Sequence, residues 1–206
     1  GYAGLNRLIA EASGQYIVCL HQDIVARHDG KADLDRKLAD LDTYDPEWAI
    51  AANAGRRDGR YFIRITDKFG ADQVRGPFPA EVDVVDENFF VLRRDRLVGP
   101  SWDLSGFHVY GLDVVLQAQA RGLKAYVIDF HVHHLGQARV DDTYLACRDA
   151  MEGKIRRLWA SRLQQTMAED VHLSGTPLRF VHLLPRRLRR NRKLRARAAR
   201  AIQPTP

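Results

Sequence analysis

Three polar groupings in this chain have the residue types and the placement to do chemistry. His21-Gln22-Asp23 follows the unbroken apolar run Tyr16-Ile17-Val18-Cys19-Leu20. Gly111-Leu112-Asp113 opens a helical pattern, and His131-Val132-His133-His134 closes the strand-like run Ala125 to Phe130. A neutral imidazole beside a carboxylate suits Mn²⁺ or a similar ion. A carboxylate in the first turn of a helix, at a cleft edge, can take a proton from an attacking hydroxyl. Each grouping also has an ordinary structural reading. Asp23 can cap the following turn, Asp113 can serve as a helix-dipole partner, and imidazoles at a strand end can hydrogen-bond loops.

Several other chemistries lack their signatures. The chain contains no GxxxxGKS/T, no GxGxxG and no HExxH. No Cys-x-x-Cys pair is present for zinc. Ser101 and Ser105 lie near His108, but no GxSxG elbow accompanies them.

The elements that must position these groups alternate in the manner of an α/β fold. Leu5, Leu8, Ile9 and Ala12 fall at helical spacing before Ser13-Gly14, and the run Tyr16 to Leu20 then reads as a strand buried on both faces of a parallel sheet. Ligands in such sheets gather beyond the carboxyl ends of the strands, where Asp23 falls. A helix feeding a central parallel strand should itself follow a strand, so an N-terminal part of the fold is expected outside this sequence. Ala32 to Tyr44 gives a second helix, stopped at Asp45-Pro46. Trp48 to Ala52 is a second buried strand, and Asp58-Gly59 marks a hairpin returning through Tyr61 to Ile65. Asp67 to Pro79 reads as a loop. Two short strands follow, at Val82 to Val85 and Phe89 to Leu92. Leu112 to Arg121 is a helix with Leu112, Val115, Leu116 and Ala120 inward and Gly122 as its stop. A long helical stretch spans Asp141 to Leu163.

The chain has 206 residues, 45% of them hydrophobic, which suffices for one well-cored domain. No apolar run approaches the ~20 residues of a membrane-spanning helix. Cys19 and Cys147 read as buried reduced thiols of a cytosolic protein. The net charge of +6 is unevenly placed: residues 185–206 hold eight Arg, one Lys and no acid, which leaves residues 1–184 at −3. A domain over 1–184, with C-terminal helices from about 141, and a basic tail over 185–206 are therefore expected. If helical, that tail is amphipathic and suits an anionic membrane surface. Nonspecific phosphate binding to nucleic acid and a plain solvated terminus are the other readings.

The succession from Asn6 to Asp23, NRLIAEASGQYIVCLHQD, resembles the metal-motif region of family 2 glycosyltransferases with the GT-A fold. VDVVDENFFVLRRD, from Val82, resembles the strand pair framing the acceptor site of that family, and WDLSGFHVYGLDVVLQAQARGLKAYVI, from Trp102, looks like its following run. The resemblance covers roughly Leu5 to Gly136. It implies a three-layer α/β/α nucleotide-diphospho-sugar transferase fold with a mixed sheet, N-terminally truncated because the family's first β-α-β unit is missing. It implies an inverting hexosyltransferase that moves sugar from a nucleotide-sugar donor to a glycan or lipid-linked acceptor in polysaccharide biosynthesis. It places a divalent metal, Mn²⁺ or Mg²⁺, on Asp23 and His134, with His133 a rival for that position. The family's DxD is here reduced to the single acid Asp23. Asp113 matches the general base. Gln22 and His21 fall on the substrate side, and Asp86, Glu87, His108 and Trp102 are the acceptor-site candidates, each with a turn, cap or core alternative.

These readings lead to a cytoplasmic enzyme, peripheral at the inner face of the membrane and without specific nucleic-acid binding. A non-catalytic glycosyltransferase-like module is the alternative, and a nucleic-acid-binding protein rests on the tail alone.

Overall fold

The computed structural model describes residues 1–136, 141–160, 162–165, 167 and 170–173. The basic tail, and with it the expected membrane or nucleic-acid contact, lies outside the described residues. The chain divides into two compact units, Gly1–Met151 and Glu152–Pro206.

The first unit runs α1 (Tyr2–Glu11), β1 (Tyr16–Leu20), β2 (Ile24–Val25), α2 (Lys31–Tyr44), β3 (Trp48–Ala52), β4 (Ala54–Arg57), β5 (Arg60–Thr66) and β6 (Asp72–Arg75). It continues with β7 (Ala80–Val82), β8 (Val84–Val85), β9 (Phe89–Arg93), α3 (Tyr110–Gln119), β10 (Lys124–Val127) and β11 (Val132–His134), and then enters α4 (Asp142–Trp159). In the second unit β12 (Arg162–Gln165) pairs antiparallel with β13 (Asp170–Leu173).

The result is a mixed α/β protein with two mixed sheets in its first unit. One is five-stranded, in the order β1-β9-β3-β10-β7; only β3 and β10 run parallel in it. The other has the order β2-β11-β5-β4-β8 with β6 on β5, and only β11 and β5 run parallel. The chain passes between the sheets repeatedly, and two of the crossings take a single residue. β3 passes into β4 through Asn53, which is fully buried, donates its side-chain N–H to the Arg64 carbonyl and accepts the Arg64 N–H at 2.8 Å. β7 passes into β8 at Asp83.

Strand alternation splits the core of the five-stranded sheet. Ile50, Phe90, Leu92 and Val127 pack with Tyr2 and Ile9 of α1 and with Val114, Val115 and Ala118 of α3. Trp48, Val91 and Tyr126 pack instead with Leu34, Leu38 and Leu41 of α2. Asp42 of α2 ties three strands together. It accepts from Trp48 Nε1 at 2.8 Å and from the Tyr16 hydroxyl at 2.9 Å, and pairs with Arg93 at 3.0 Å. Asp45, at the end of α2, accepts from the Tyr126 hydroxyl at 2.6 Å, from Lys124 at 2.5 Å and from the Glu47 N–H. Burial opposes its ionisation, yet those bonds hold its carboxyl down at about 2.

The hairpin at Asp58-Gly59 forms as its residues require, with both at positive φ and Arg57 opposite Arg60. Three expectations are corrected. β1 is not a central parallel strand: it is an edge strand antiparallel to β9, and Val18 and Leu20 are exposed. The stretch expected as a loop after Asp67 contains β6, which pairs with β5. In α3 the buried set is Tyr110, Gly111, Asp113, Val114, Val115 and Ala118, so Leu112 and Leu116 are only half-buried and Ala120 is exposed. Among the described residues no helix is long and apolar enough to cross a membrane, and both cysteines are buried and free.

Leu38 is 1% exposed in the centre of the α2 packing, whereas Leu8 of α1 is 65% exposed. Leu38→Ala should cost about 2–5 kcal/mol, the range for emptying a closed core position. Leu8→Ala should stay within about 0.5 kcal/mol. Urea unfolding of the two variants checks the contrast.

Candidate metal centre

The turn between β1 and β2 is held at both ends by backbone bonds. The His21 N–H donates to the Asn88 carbonyl at 2.9 Å, and the Ile24 N–H donates to the His21 carbonyl at 3.2 Å. β2 then pairs antiparallel with β11, which sets Ile24 opposite His134 and Val25 opposite His133. The Leu135 N–H closes the arrangement on the Asp23 carbonyl at 2.9 Å. Short as this ladder is, it carries His134 back against a residue that precedes it by nine strands and two helices.

One ligand atom each from His21, Asp23 and His134 falls within 4.8 Å of the others. His134 Nε2 lies 3.4 Å from Asp23 Oδ2, and the His21 and His134 rings meet edge-on at 6.4 Å. All three side chains are half-buried. Asp23 Oδ1 is buried and has no hydrogen-bond partner, which is costly for a carboxylate unless something else meets it. Burial lowers the His21 pKa and so favours the neutral, lone-pair-bearing imidazole, with the His134 ring pushing the same way against Asp23 and Asp86. At Gly136 a Cβ would lie 2.0 Å from Asp23 Oδ2 and 3.0 Å from His134 Nε2, so any side chain there would displace the Asp23 carboxylate. The residues present suit a divalent ion: two imidazoles, one carboxylate with an unpaired oxygen, and a backbone pressed close.

Glu87 occupies the loop before β9. Its Oε1 accepts the Gly111 N–H at 3.1 Å. Gly111 is glycine because a Cβ there would meet the Val85 carbonyl oxygen at 2.3 Å. Burial pushes the Glu87 carboxyl up to about 7 and Asp86 adds to it, while the Gly111 N–H opposes the rise. Tyr110, the first residue of α3, connects this loop to the centre: its hydroxyl is 2.7 Å from His21 Nε2 and 3.4 Å from the Glu87 carbonyl oxygen.

The other expected residues are distributed as follows. His21, expected on the substrate side, belongs to the converging triad. His133 does not join it, because neighbours in a strand face opposite sides; it is 8% exposed, and its Nε2 is buried without a partner. Gln22 is exposed at the turn. Asp86 is exposed and accepts the Asn88 N–H at 2.9 Å. His108 meets Tyr144 of α4 edge-on at 5.7 Å, and Trp102 is 78% exposed.

Asp113 stands in the first turn of α3, as expected, but inside the fold and not at a cleft edge. It is fully buried. Its Oδ2 accepts the Ser101 N–H at 2.6 Å, and its Oδ1 accepts the Ser101 hydroxyl at 2.8 Å and Gln117 Nε2 at 3.4 Å. With both oxygens engaged inside the fold, it anchors the loop ahead of α3 and offers no free oxygen at a cleft edge. Tyr110 and Gly136 were not expected at the centre. Tyr110 stands beside Gly111-Leu112-Asp113, and Gly136 follows His134 by two residues, where a glycine was the available signal for close approach.

Two outcomes follow from these burials. Asp113→Ala should cost about 3 kcal/mol in urea unfolding, because it leaves the buried donors of Ser101 unpaired; a neutral result would remove the anchoring role. For Glu87, the folded-state pKa of about 7 lies above its ordinary value of 4.5. The stability tied to its protonated form is full below that ordinary value and is lost as pH rises through about 7. Glu87→Gln should therefore stabilise the protein at pH 8 and flatten the decline between pH 4.5 and 7, as read from unfolding midpoints across that range.

No protein-family model matches the chain. The solved structure of A197 from STIV is similar at 13% identity, covering 69% of this chain and 78% of that one, with a TM-score of 0.36. ATP synthase subunits region ORF 6 of Fuscovulum blasticum is 34% identical over 182 residues, 85% of this chain and 73% of that protein. That kinship corrects the expected function. The relative bears no glycosyltransferase name, and the expectations of a glycosyltransferase, of a glycosyltransferase-like scaffold and of a part in polysaccharide biosynthesis are set aside on it. At this identity and coverage the chain belongs to the family of ATP synthase subunits region ORF 6.

Proposed function

We propose that this protein holds a divalent transition-metal ion on His21, Asp23 and His134 and acts as a metal-dependent enzyme on an anionic, oxygen-bearing ligand. The observation that carries the reading is the convergence of the three ligand atoms within 4.8 Å of one another. Gly136 supports it, since its missing side chain is what lets the backbone close over Asp23 and His134.

The donor set argues for the kind of ion. Mg²⁺ and Ca²⁺ prefer all-oxygen shells, while two imidazoles with one carboxylate suit ions from Mn²⁺ to Zn²⁺. Three protein ligands leave coordination positions open, as in catalytic rather than closed structural sites. One carboxylate against a doubly charged ion leaves the site net positive, which favours an anionic ligand. When bound, such an ion supplies Lewis acidity and lowers the pKa of coordinated water. The chain's own contribution is to orient the ligands, to keep His21 neutral and to hold Glu87, with its carboxyl pushed up to about 7, on the adjoining loop as a proton carrier.

The finer fold reading belongs here as well. We infer a three-layer α/β/α arrangement of GT-A type, supported by α1 and α3 packing on one face of the five-stranded sheet and α2 on the other. That reading concerns fold alone, and a fold does not imply a function.

Thermal and calorimetric titration of the full chain tests the metal. Mn²⁺, Co²⁺ or Zn²⁺ at ~100 times its Kd should stabilise the wild type by about 2.7 kcal/mol, and Mg²⁺ at equal concentration should do far less. Asp23→Asn, His134→Ala and Gly136→Ala should each abolish most of the shift. An equal shift in those variants, or none in the wild type with any of the ions, would remove the proposal.

A further inference from the structure

We infer that Tyr110 is a positioning residue that selects which nitrogen of His21 faces the cation: its phenol oxygen accepts from Nε2–H, so Nδ1 is left as the donor. This rests on the metal reading above and deepens it.

The Tyr110 hydroxyl has one proton and two neighbours, His21 Nε2 at 2.7 Å and the Glu87 carbonyl oxygen at 3.4 Å. A carbonyl can only accept. With the hydroxyl proton directed there, the short contact to His21 is made by an N–H of the imidazole onto the phenol oxygen. A tyrosine phenol is an un-ionised hydroxyl near neutral pH, so it has that one proton to give. In a neutral imidazole one nitrogen carries the proton and the other the lone pair, so a proton on Nε2 leaves the lone pair on Nδ1.

Tyr110 is built to hold this place. It is 6% exposed, with Tyr2 edge-on at 6.1 Å and Phe90 tilted at 6.3 Å. The residue before it, Val109, sits at φ 61°, a left-handed conformation that a β-branched side chain seldom adopts. Backbone strain of this kind persists where the surroundings fix it, and it gathers at functional sites. A metal-bound histidine ordinarily passes its second ring proton to a carboxylate, a carbonyl or water. Here a buried phenol takes that part, and it links His21 to the backbone of Glu87.

The test uses the full chain, with Co²⁺ as the probe, and three variants. Tyr110→Phe should weaken Co²⁺ affinity roughly ten- to hundredfold while the metal-free protein melts close to wild type. Long-range ¹H–¹⁵N correlation on the metal-free wild type should show His21 protonated at Nε2. His21→Asn, whose amide falls near the Nδ1 position, should keep more Co²⁺ binding than His21→Gln, whose amide reaches the Nε2 position. Unchanged affinity in Tyr110→Phe, an Nδ1-protonated His21, or better binding by His21→Gln would each overturn the inference while leaving the metal site standing. Absence of Co²⁺ binding in the wild type would instead overturn the metal reading itself, and this inference with it.

Discussion

The centre depends on one close approach. Asp23 and His134 stand 3.4 Å apart because β2 and β11 share two residue pairs and because Gly136 carries no side chain. Neither condition suffices alone. The ladder fixes which residue of β11 faces Asp23, and the glycine lets the chain after β11 pass close enough for the Leu135 N–H to reach the Asp23 carbonyl. Among the described residues β2 has no other strand partner, and β11 is held on its far side by β5. β5 in turn is held by the hairpin at Asp58-Gly59 and by the crossing at Asn53. The site therefore inherits its order from a sheet whose strands come from three separated parts of the chain.

Carboxylates withdrawn wholly or partly from water meet opposite fates in this fold, and the difference lies in what surrounds each one. Asp45 collects a lysine, a phenol and a backbone N–H and stays ionised down to about 2. Asp113 collects three donors from Ser101 and Gln117. Glu87 receives the Gly111 N–H, lies beside the like charge of Asp86, and is pushed up to about 7. Asp23 keeps one oxygen buried with no partner. The first two serve the fold. The last two oppose it, and His21 and Tyr110 link them, next to the strained Val109, which at about 1–3 kcal/mol for such a conformation is a further standing cost. Groups left under-satisfied at one location mark where a fold gives up stability for something other than itself.

Much of the local structure was legible in the sequence. The α2 helix, the Asp58-Gly59 hairpin and the stop after α3 each follow from local chemistry that needs no partner. What was not legible depends on partners. Tyr16 to Leu20 reads as a doubly buried strand because it is continuously apolar, but among the described residues β9 alone pairs with it, and Val18 and Leu20 are exposed. α3 is turned about its axis from the expected face because Ser101, distant from it in sequence, draws Asp113 inward. A polar residue with a buried partner counts as core, and hydrophobic spacing cannot register that. The same holds for β6, which is a strand only because β5 lies beside it.

At the centre, Asp23 was reached from the strand-end rule, and the triad includes it. The choice between His133 and His134 was open in the sequence, because adjacent residues differ only in which side of the strand they face. The register of β11 on β2 decides it. His21 shows the limit of reasoning from motifs. Read as the altered first position of a two-acid signature, it was a substitution to be explained. In the folded chain its ring meets His134, its Nε2 meets Tyr110, and burial keeps it neutral. An imidazole in that position brings a second nitrogen donor where an acid would bring a second negative charge. Under the metal proposal, that second nitrogen donor is what favours transition ions over hard, oxygen-loving ones.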